Sequence, residues 1–330
     1  MPHLTRRAAL ATLTALGATA LCPAPALAQA SALPDRPLKL VVGFPPGTGP
    51  DVVARTLGQK LGELLKQPLA VDNRAGAGGQ IAAQAVAKSA PDGTTLLLGE
   101  VGSIAIAPAA YPKLPYDPAK ELLGLSEVVR ADFVLVVPAQ SPHRTVADFV
   151  AAARARKDRS NIATFGAATP GHFGAELFAD LAGFKIEPVH YRATGDAVTA
   201  IVAGDVQGAF VSTALALAQV KGGKMKALAT TAAQRSPLLP EVPTMAEAGY
   251  PKADFAAWFV VMAPAGLSPA LADGLQRQIA AAVQAPDVKS RLQEAGFTVL
   301  GSSRADTERL LKAEAQRWAA IVKATGFKPE

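Results

Sequence analysis

The chain has 330 residues, of which 50% are hydrophobic, 18% charged and 5% aromatic. That composition argues against a disordered chain and an aromatic-rich sandwich, and leaves room for two domains of ordinary size. The formal charge of +6 is spread along the sequence, with no basic run interleaved with aromatics; this argues against nucleic acid and suits a small anionic ligand.

The first element in chain order is a leader. Arg6 and Arg7 precede an apolar stretch at 8–21, and "APALAQA" supplies small residues for cleavage near Ala28. Residues 1–28 are therefore expected to be a signal peptide and the mature protein exported. The stretch is too short to span a bilayer, so the protein is not expected to be membrane-embedded. The Arg6–Arg7 pair leaves the general secretory and twin-arginine routes both open. The single cysteine, Cys22, lies in this leader and lacks the leucine three residues before it that a lipoprotein site prefers. Removing Arg6 and Arg7, with no acid in the leader, lowers the charge from +6 to +4.

Strand-like and helical patterns then alternate. "LKLVVGF" (38–44) reads as a strand, and 51–66 as a helix with Val53, Leu57, Leu61 and Leu64 on one face. Strands follow at 68–74 and 94–99, with a helix at 78–90 between them. A second series runs through strands at 132–138, 161–166, 187–191, 206–211 and 225–231, interleaved with helices at 146–156, 172–181 and 196–203. A long apolar strand at 255–264 precedes helices at 269–284, 287–295 and 303–325.

Apolar strands separated by helices predict an α/β fold with a mostly parallel sheet covered on both faces. The last helices have no full sheet of their own, so they are expected to return to the first domain. One lobe then comprises 31–131 and 255–330, the other 132–254, with a hinge of two crossovers near 132 and 255. The cleft between lobes is where the carboxyl ends of the strands place a ligand.

"FPPGTGPD" (44–51) stands at that position. No lysine follows Gly49 as a Walker loop requires, and G-x-S-x-G is absent. Two readings remain for Phe44, Pro45, Pro46, Gly47, Thr48 and Gly49. One is a glycine turn whose amides, with the positive end of the following helix, seat a carboxylate; the other is a plain strand-to-helix turn with Asp51 as cap. "DNRAGAGGQ" (72–80) has glycines but no dinucleotide register, and reads as a capping turn.

"FGAATPGHFGAELF" (165–178) repeats the strand–turn–helix logic, with Ala168, the Thr169 hydroxyl and the amides of Gly171 and His172 as ligand candidates. His172 and Glu176 have metal spacing but no third ligand, so no metal and no cofactor is expected. "GEVGS" (99–103) and "FVST" (210–213) end strands in small polar residues, making Glu100, Ser103, Ser212 and Thr213 candidates as well. Glu100 would repel an anion unless the ligand also carries a donor or cation; alternatively it is a solvent-facing rim acid. His143, His172 and His190 stand beside no evident nucleophile and acid, so no catalytic residues are assigned.

These residues together resemble the Bug-type extracytoplasmic solute receptors of tripartite tricarboxylate transporters. "LVVGFPPGTGPDVVAR", "VDNRAGAGGQIAAQAVAKSAPDGTTLLLG", "AIAPAAYPKLPYD", "MKALATT…RSPLLPEVPTMAEAGYP" and "WFVVMAPAGLSP" occur in the family's order, from about residue 36 to the end. The resemblance implies a type II periplasmic-binding-protein fold closing on a small organic acid, without enzymatic activity. In it the main chain of Phe44–Pro50 and Ala167–His172 grips a carboxylate, often through water. It also implies membrane permease subunits as partners and a monomeric protein. Departures from the family pattern are Gly47–Thr48–Gly49 in place of adjacent glycines, a short "GAATPGH" turn, and Val211–Ser212 where many members carry an acid. The same lobe pair would equally serve a membrane sensor kinase, and an exported α/β hydrolase would require a Ser–His–acid set within hydrogen-bond reach.

Overall fold

The structure, a computed structural model, describes residues 35–191 and 193–328. The leader, Cys22 and the cleavage point near Ala28 lie outside these residues. The chain runs β1 (Leu38–Val42), α1 (Gly49–Leu65), β2 (Leu69–Asn73), a 3-10 turn (Ala77–Gly79), α2 (Gln80–Ala87) and β3 (Thr95–Glu100). A π-helical turn (Gly102–Ile106) continues into α3 (Ala107–Ala110), then α4 (Pro118–Glu121) and a long β4 (Leu122–Pro138). Next come α5 (Val146–Ala155), β5 (Ser160–Thr164), α6 (Pro170–Ala182), β6 (Ile186–His190), α7 (Thr194–Ala203), β7 (Gly208–Ser212), α8 (Thr213–Lys221) and β8 (Met225–Thr230). The described chain closes with β9 (Ala256–Pro264), α9 (Pro269–Gln284), α10 (Pro286–Glu294), β10 (Thr298–Val299) and α11 (Arg304–Thr325).

The alternation of apolar residues sets the layers. Leu38, Leu40 and Val42 of β1, with Leu96 and Leu98 of β3, face α1 and α9, while Val41 and Leu97 face the opposite core. On α1, Val53, Leu57 and Leu61 are buried at helical spacing, but Leu64 is 43% exposed. The predicted stripe stops there because Lys66 takes a left-handed conformation (φ 54°) and turns the chain off the helix.

Eight strands follow the order β2-β1-β3-β9-β4-β7-β5-β6, with β10 and β8 also paired to β4. The expectation of a mostly parallel sheet needs correction. The wings β2-β1-β3 and β7-β5-β6 are parallel, but β9 runs antiparallel to β3 and β4, and β7 and β8 run antiparallel to β4. The two connecting strands run in opposite senses, and this sets the centre of the sheet.

β4 is also ten residues longer than predicted, since 122–131 was not read as strand. Its apolar alternation there is interrupted by Gly124, Ser126 and Glu127, where the register to β9 shifts. The 302 segment satisfies these polar groups: Ser126 Oγ donates to the Ser302 carbonyl (2.8 Å), and the Glu127 amide donates to Ser302 Oγ (2.8 Å). Up to Asp132, β4 pairs with β9; from Phe133 onward it pairs with β7, and from Val134 with β8.

α9 and α10 pack on α1, while α11 packs on β4 and the π-helical turn and reaches α6. One partly buried acid ties α11 down: Glu314 Oε2 accepts the indole N–H of both Trp258 and Trp318, each at 2.9 Å. Beyond α11, Phe327 meets the Phe173 ring edge-on at 5.4 Å.

Candidate functional site

The turn between β1 and α1 starts at Gly43, because a side chain there would collide with the Gly79 backbone at 2.5 Å. Gly47 then takes φ +79°, a conformation that L side chains rarely adopt. α1 begins at Gly49, two residues earlier than expected, with Thr48 as its N-cap residue. Thr48 does not cap it, because its hydroxyl donates to the Pro45 carbonyl instead (2.7 Å). Among the described residues, the amides of Gly49 and Asp51 take no acceptor, and Pro50 has none to offer. The first turn of a 17-residue helix thus presents unused donors at its positive end.

Asp51 is neither an exposed cap nor a ligand group. It is 3% exposed. Its Oδ2 accepts the Gly47 amide (2.9 Å) and Arg55 Nε (2.9 Å), and its Oδ1 accepts Asn73 Nδ2 (2.9 Å). Asn73 Nδ2 also donates to the Phe44 carbonyl (3.0 Å), and Asn73 Oδ1 accepts Arg55 Nη2 (3.1 Å). The Arg55 guanidinium and these donors outweigh burial and hold the Asp51 carboxyl down at about 2. The turn is therefore braced at both ends, and Arg55 neutralises the acid so that it does not cancel the helix-end potential. Sequence reasoning missed Arg55 and Asn73; the Asp51–Arg55 spacing of four on a helix was the available signal.

Glu100 ends β3 on the face that carries Leu96 and Leu98. It is 7% exposed, which overturns the solvent-facing reading. Its Oε2 accepts the Gly102 amide (2.9 Å). Burial pushes its carboxyl up to about 7, against the opposing pull of the Gly102 and Ser103 amides. Ser103 is also buried; its hydroxyl donates to the Glu100 carbonyl (3.2 Å), and its own carbonyl accepts the Tyr116 hydroxyl (2.6 Å). Ser103 Oγ and the Phe44 ring both lie within 4 Å of the Cβ position of Gly79, so the turns at 44–49, 76–79 and 100–103 converge.

In the second turn Ala168 holds φ +56°, a strained value for a residue with a side chain. His172 Nδ1 accepts the Ala168 amide (3.1 Å), which fixes that strained residue and puts the ring proton on Nε2. The ring is buried, stacks on Phe173 and meets His190 and Phe327 edge-on. Burial, and then His190, push its pKa down to about 4, so it is neutral and serves as a support. The Thr169 hydroxyl donates to the Gly166 carbonyl (2.9 Å) and accepts the His172 amide (3.3 Å) as the N-cap of α6. Both its bonding directions are thus used within the turn, and the His172 amide is occupied as well. The Gly171 amide takes no acceptor among the described residues, and Gly171 lies against the Phe133 ring and the Phe210 carbonyl.

Ser212 is exposed at the end of β7 and caps α8 through Leu215 (3.4 Å). Thr213 is buried and donates to the Asp132 carbonyl (3.1 Å). The structure thus assembles two groups, Phe44–Gly49 with Glu100 and Ser103, and Ala168–His172 near the end of β7. No hydrogen bond joins the two groups among the described residues. A cavity of about 770 Å³ opens elsewhere, lined by Arg130, Asp132, Thr213, Arg235, Phe297 and Thr298 among others. Of its charged groups, Arg130 pairs with Glu127, Arg235 with Glu247, and Asp132 accepts from Thr298.

Comparison with known proteins agrees with this architecture. The profile described as "Tripartite tricarboxylate transporter family receptor" matches residues 53–327. Protein BugT of Bordetella pertussis is 36% identical over 91% of this chain and 92% of its own length. Among solved structures, an R. palustris protein with adipate is 32% identical with a TM-score of 0.79, covering 90% of this chain and 99% of that one. A Rhodopseudomonas palustris protein with bound malate, MatC, is 31% identical with a TM-score of 0.75, over 88% and 100%. Periplasmic binding protein BugD is 27% identical with a TM-score of 0.75, over 90% and 100%.

Proposed function

The chain belongs to the tripartite tricarboxylate transporter family of receptors, Bug-type solute-binding proteins with a two-lobed type II periplasmic-binding-protein fold, and from that premise we propose that it captures a small organic carboxylate in the periplasm and delivers it to the membrane permease subunits of such a transporter. The observation that carries this reading is the uncapped start of α1. Gly49 and Asp51 offer amides without acceptors, in a turn braced by a charge-neutral Asp51–Arg55 pair. A carboxylate there gains charge-assisted bonds and the favourable end of the helix dipole. Relatives solved with adipate and malate support the ligand class.

Lobe one is assigned to 31–131 with 255–330 and lobe two to 132–254. The exchange of β4 partners between Asp132 and Phe133, and the entry into β9 at Ala256, support a hinge at these two crossings. The Gly171 amide, at the start of α6, is the second-lobe donor. A ligand that contacts both turns favours the closed state by its differential affinity, and no covalent chemistry is needed. Residues 1–28 direct export and are removed, and no described helix is long and apolar enough to cross a membrane.

The test is calorimetry and thermal shift of the mature protein against organic acids. A ligand at a hundred times its Kd stabilises by about 2.7 kcal/mol. Gly47→Asp, which puts a charge and a strained backbone in the turn, and Thr169→Ala, which uncaps the second turn, should both weaken binding with the fold intact. Unchanged affinity in both variants refutes the site.

A further inference from the structure

Among the described residues, Glu100 is an ionisable group beside the first turn that the capture mechanism leaves unused. The register ends with Val42 paired to Leu98, and beyond it Ser103 Oγ and the Phe44 ring both lie within 4 Å of the Cβ position of Gly79, so the 100–103 segment meets the Phe44 turn. The acid therefore lies at the base of the turn whose amides receive the ligand. It is buried, and among the described residues no cation pairs with it. Only the Gly102 and Ser103 amides serve a carboxylate that has about four acceptor sites. Phe259 of β9 stands opposite it in the register, and Tyr116, whose hydroxyl donates to the Ser103 carbonyl, is a titratable group that feels its charge. On α1, Asp51 and Arg55 cancel one another.

We propose that Glu100 sets ligand selectivity: its carboxylate stands in place of a second anionic group, so the cleft takes acids whose far end donates a proton, such as a hydroxyl, an amine or a ring N–H, and rejects dicarboxylates. This rests on the carboxylate-receptor reading above and names its substrate class. Two unit charges about 6 Å apart, at an effective dielectric constant of about 20, disfavour binding by about a hundredfold. A donor that reaches hydrogen-bond distance of the carboxylate instead fills acceptor sites that the two amides leave open. Because burial raises this carboxyl to about 7, it gains a proton within the working range of the protein. Once neutral it donates rather than repels, and discrimination against dicarboxylates relaxes.

The experiment compares acids with one chain length and different far ends: hexanoate, adipate, 6-hydroxyhexanoate and 6-aminohexanoate. Each is titrated calorimetrically into the mature wild type and Glu100→Gln at about pH 8. In the wild type, the hydroxy and amino acids should bind at least about tenfold more tightly than adipate. Glu100→Gln should shift the adipate-to-hydroxyhexanoate ratio at least about tenfold toward adipate and weaken 6-aminohexanoate. A ratio that moves by less than about twofold overturns the inference and leaves the receptor reading standing. No saturable binding of any of the four acids to either protein overturns the inference, whereas the receptor reading falls only if the organic-acid screen above also finds no ligand. The wild type alone supplies a second measurement. From about pH 8 to pH 6 its adipate affinity should rise about tenfold relative to hexanoate, since both ligands stay ionised while Glu100 does not; a flat ratio overturns the proposal even if the variant fails to fold.

Discussion

Asp51→Asn removes a charge and almost no volume from the brace beneath the first turn. The acid receives three hydrogen bonds of 2.9 Å, from Gly47, Arg55 and Asn73. Its pKa is about 2 against an ordinary 3.8, so its stabilising contribution is present above pH 3.8 and lost as pH falls through about 2. The shift corresponds to about 2 kcal/mol at neutral pH at 1.36 kcal/mol per unit, with the share owed to half-exposed Arg55 reduced by solvent. An asparagine must also turn its NH2 toward one of three donors, which leaves that donor unpaired. Urea unfolding at about pH 7 should therefore find the variant about 2–3 kcal/mol less stable. At about pH 3, where the unfolded wild type has taken up its proton, the deficit should shrink to roughly half. Equal midpoints at neutral pH, or a deficit unchanged at pH 3, would refute the brace.

Glu100→Gln should behave in the opposite sense. The wild-type carboxyl is raised from 4.5 to about 7, so proton uptake stabilises the fold below pH 4.5 and this contribution is lost as pH rises through about 7. The variant should match the wild type near pH 4 and exceed it by up to about 3 kcal/mol at pH 8, read as a Tm difference of about 5 °C. Thr169→Ala should cost about 1 kcal/mol through loss of the α6 cap, and Thr169→Ser should restore both stability and ligand affinity. Glu314→Ala strands two buried indole N–H groups and should destabilise by about 2–5 kcal/mol, with a changed near-ultraviolet circular dichroism signal.

Much of the local structure was legible because it rests on short-range rules. Continuous apolar runs marked β1, β3 and β9, and helical spacing marked α1. "ATPGH" marked the turn before α6, but Thr169, read as a ligand donor, is the cap of that helix, its hydroxyl accepting the His172 amide. The interrupted pattern at Gly124–Glu127 hid the first part of β4, since its polar groups are satisfied by Ser302, 175 residues or more away. Leu64 misled because helix periodicity carries no mark of where Lys66 turns the chain.

By itself, then, the sequence determined where two glycine-bearing turns interrupt strand and helix, since backbone freedom and capping depend on neighbours a few residues apart. Only the tertiary structure decided the antiparallel centre of the sheet and the bracing of the first turn by Asn73. It also decided the burial of Glu100 and the support of Ala168 by a neutral His172 packed against Phe327. Strand direction, desolvation and the partner of a buried polar group are set by chain segments that meet across long separations, and residue order alone does not state which segments meet.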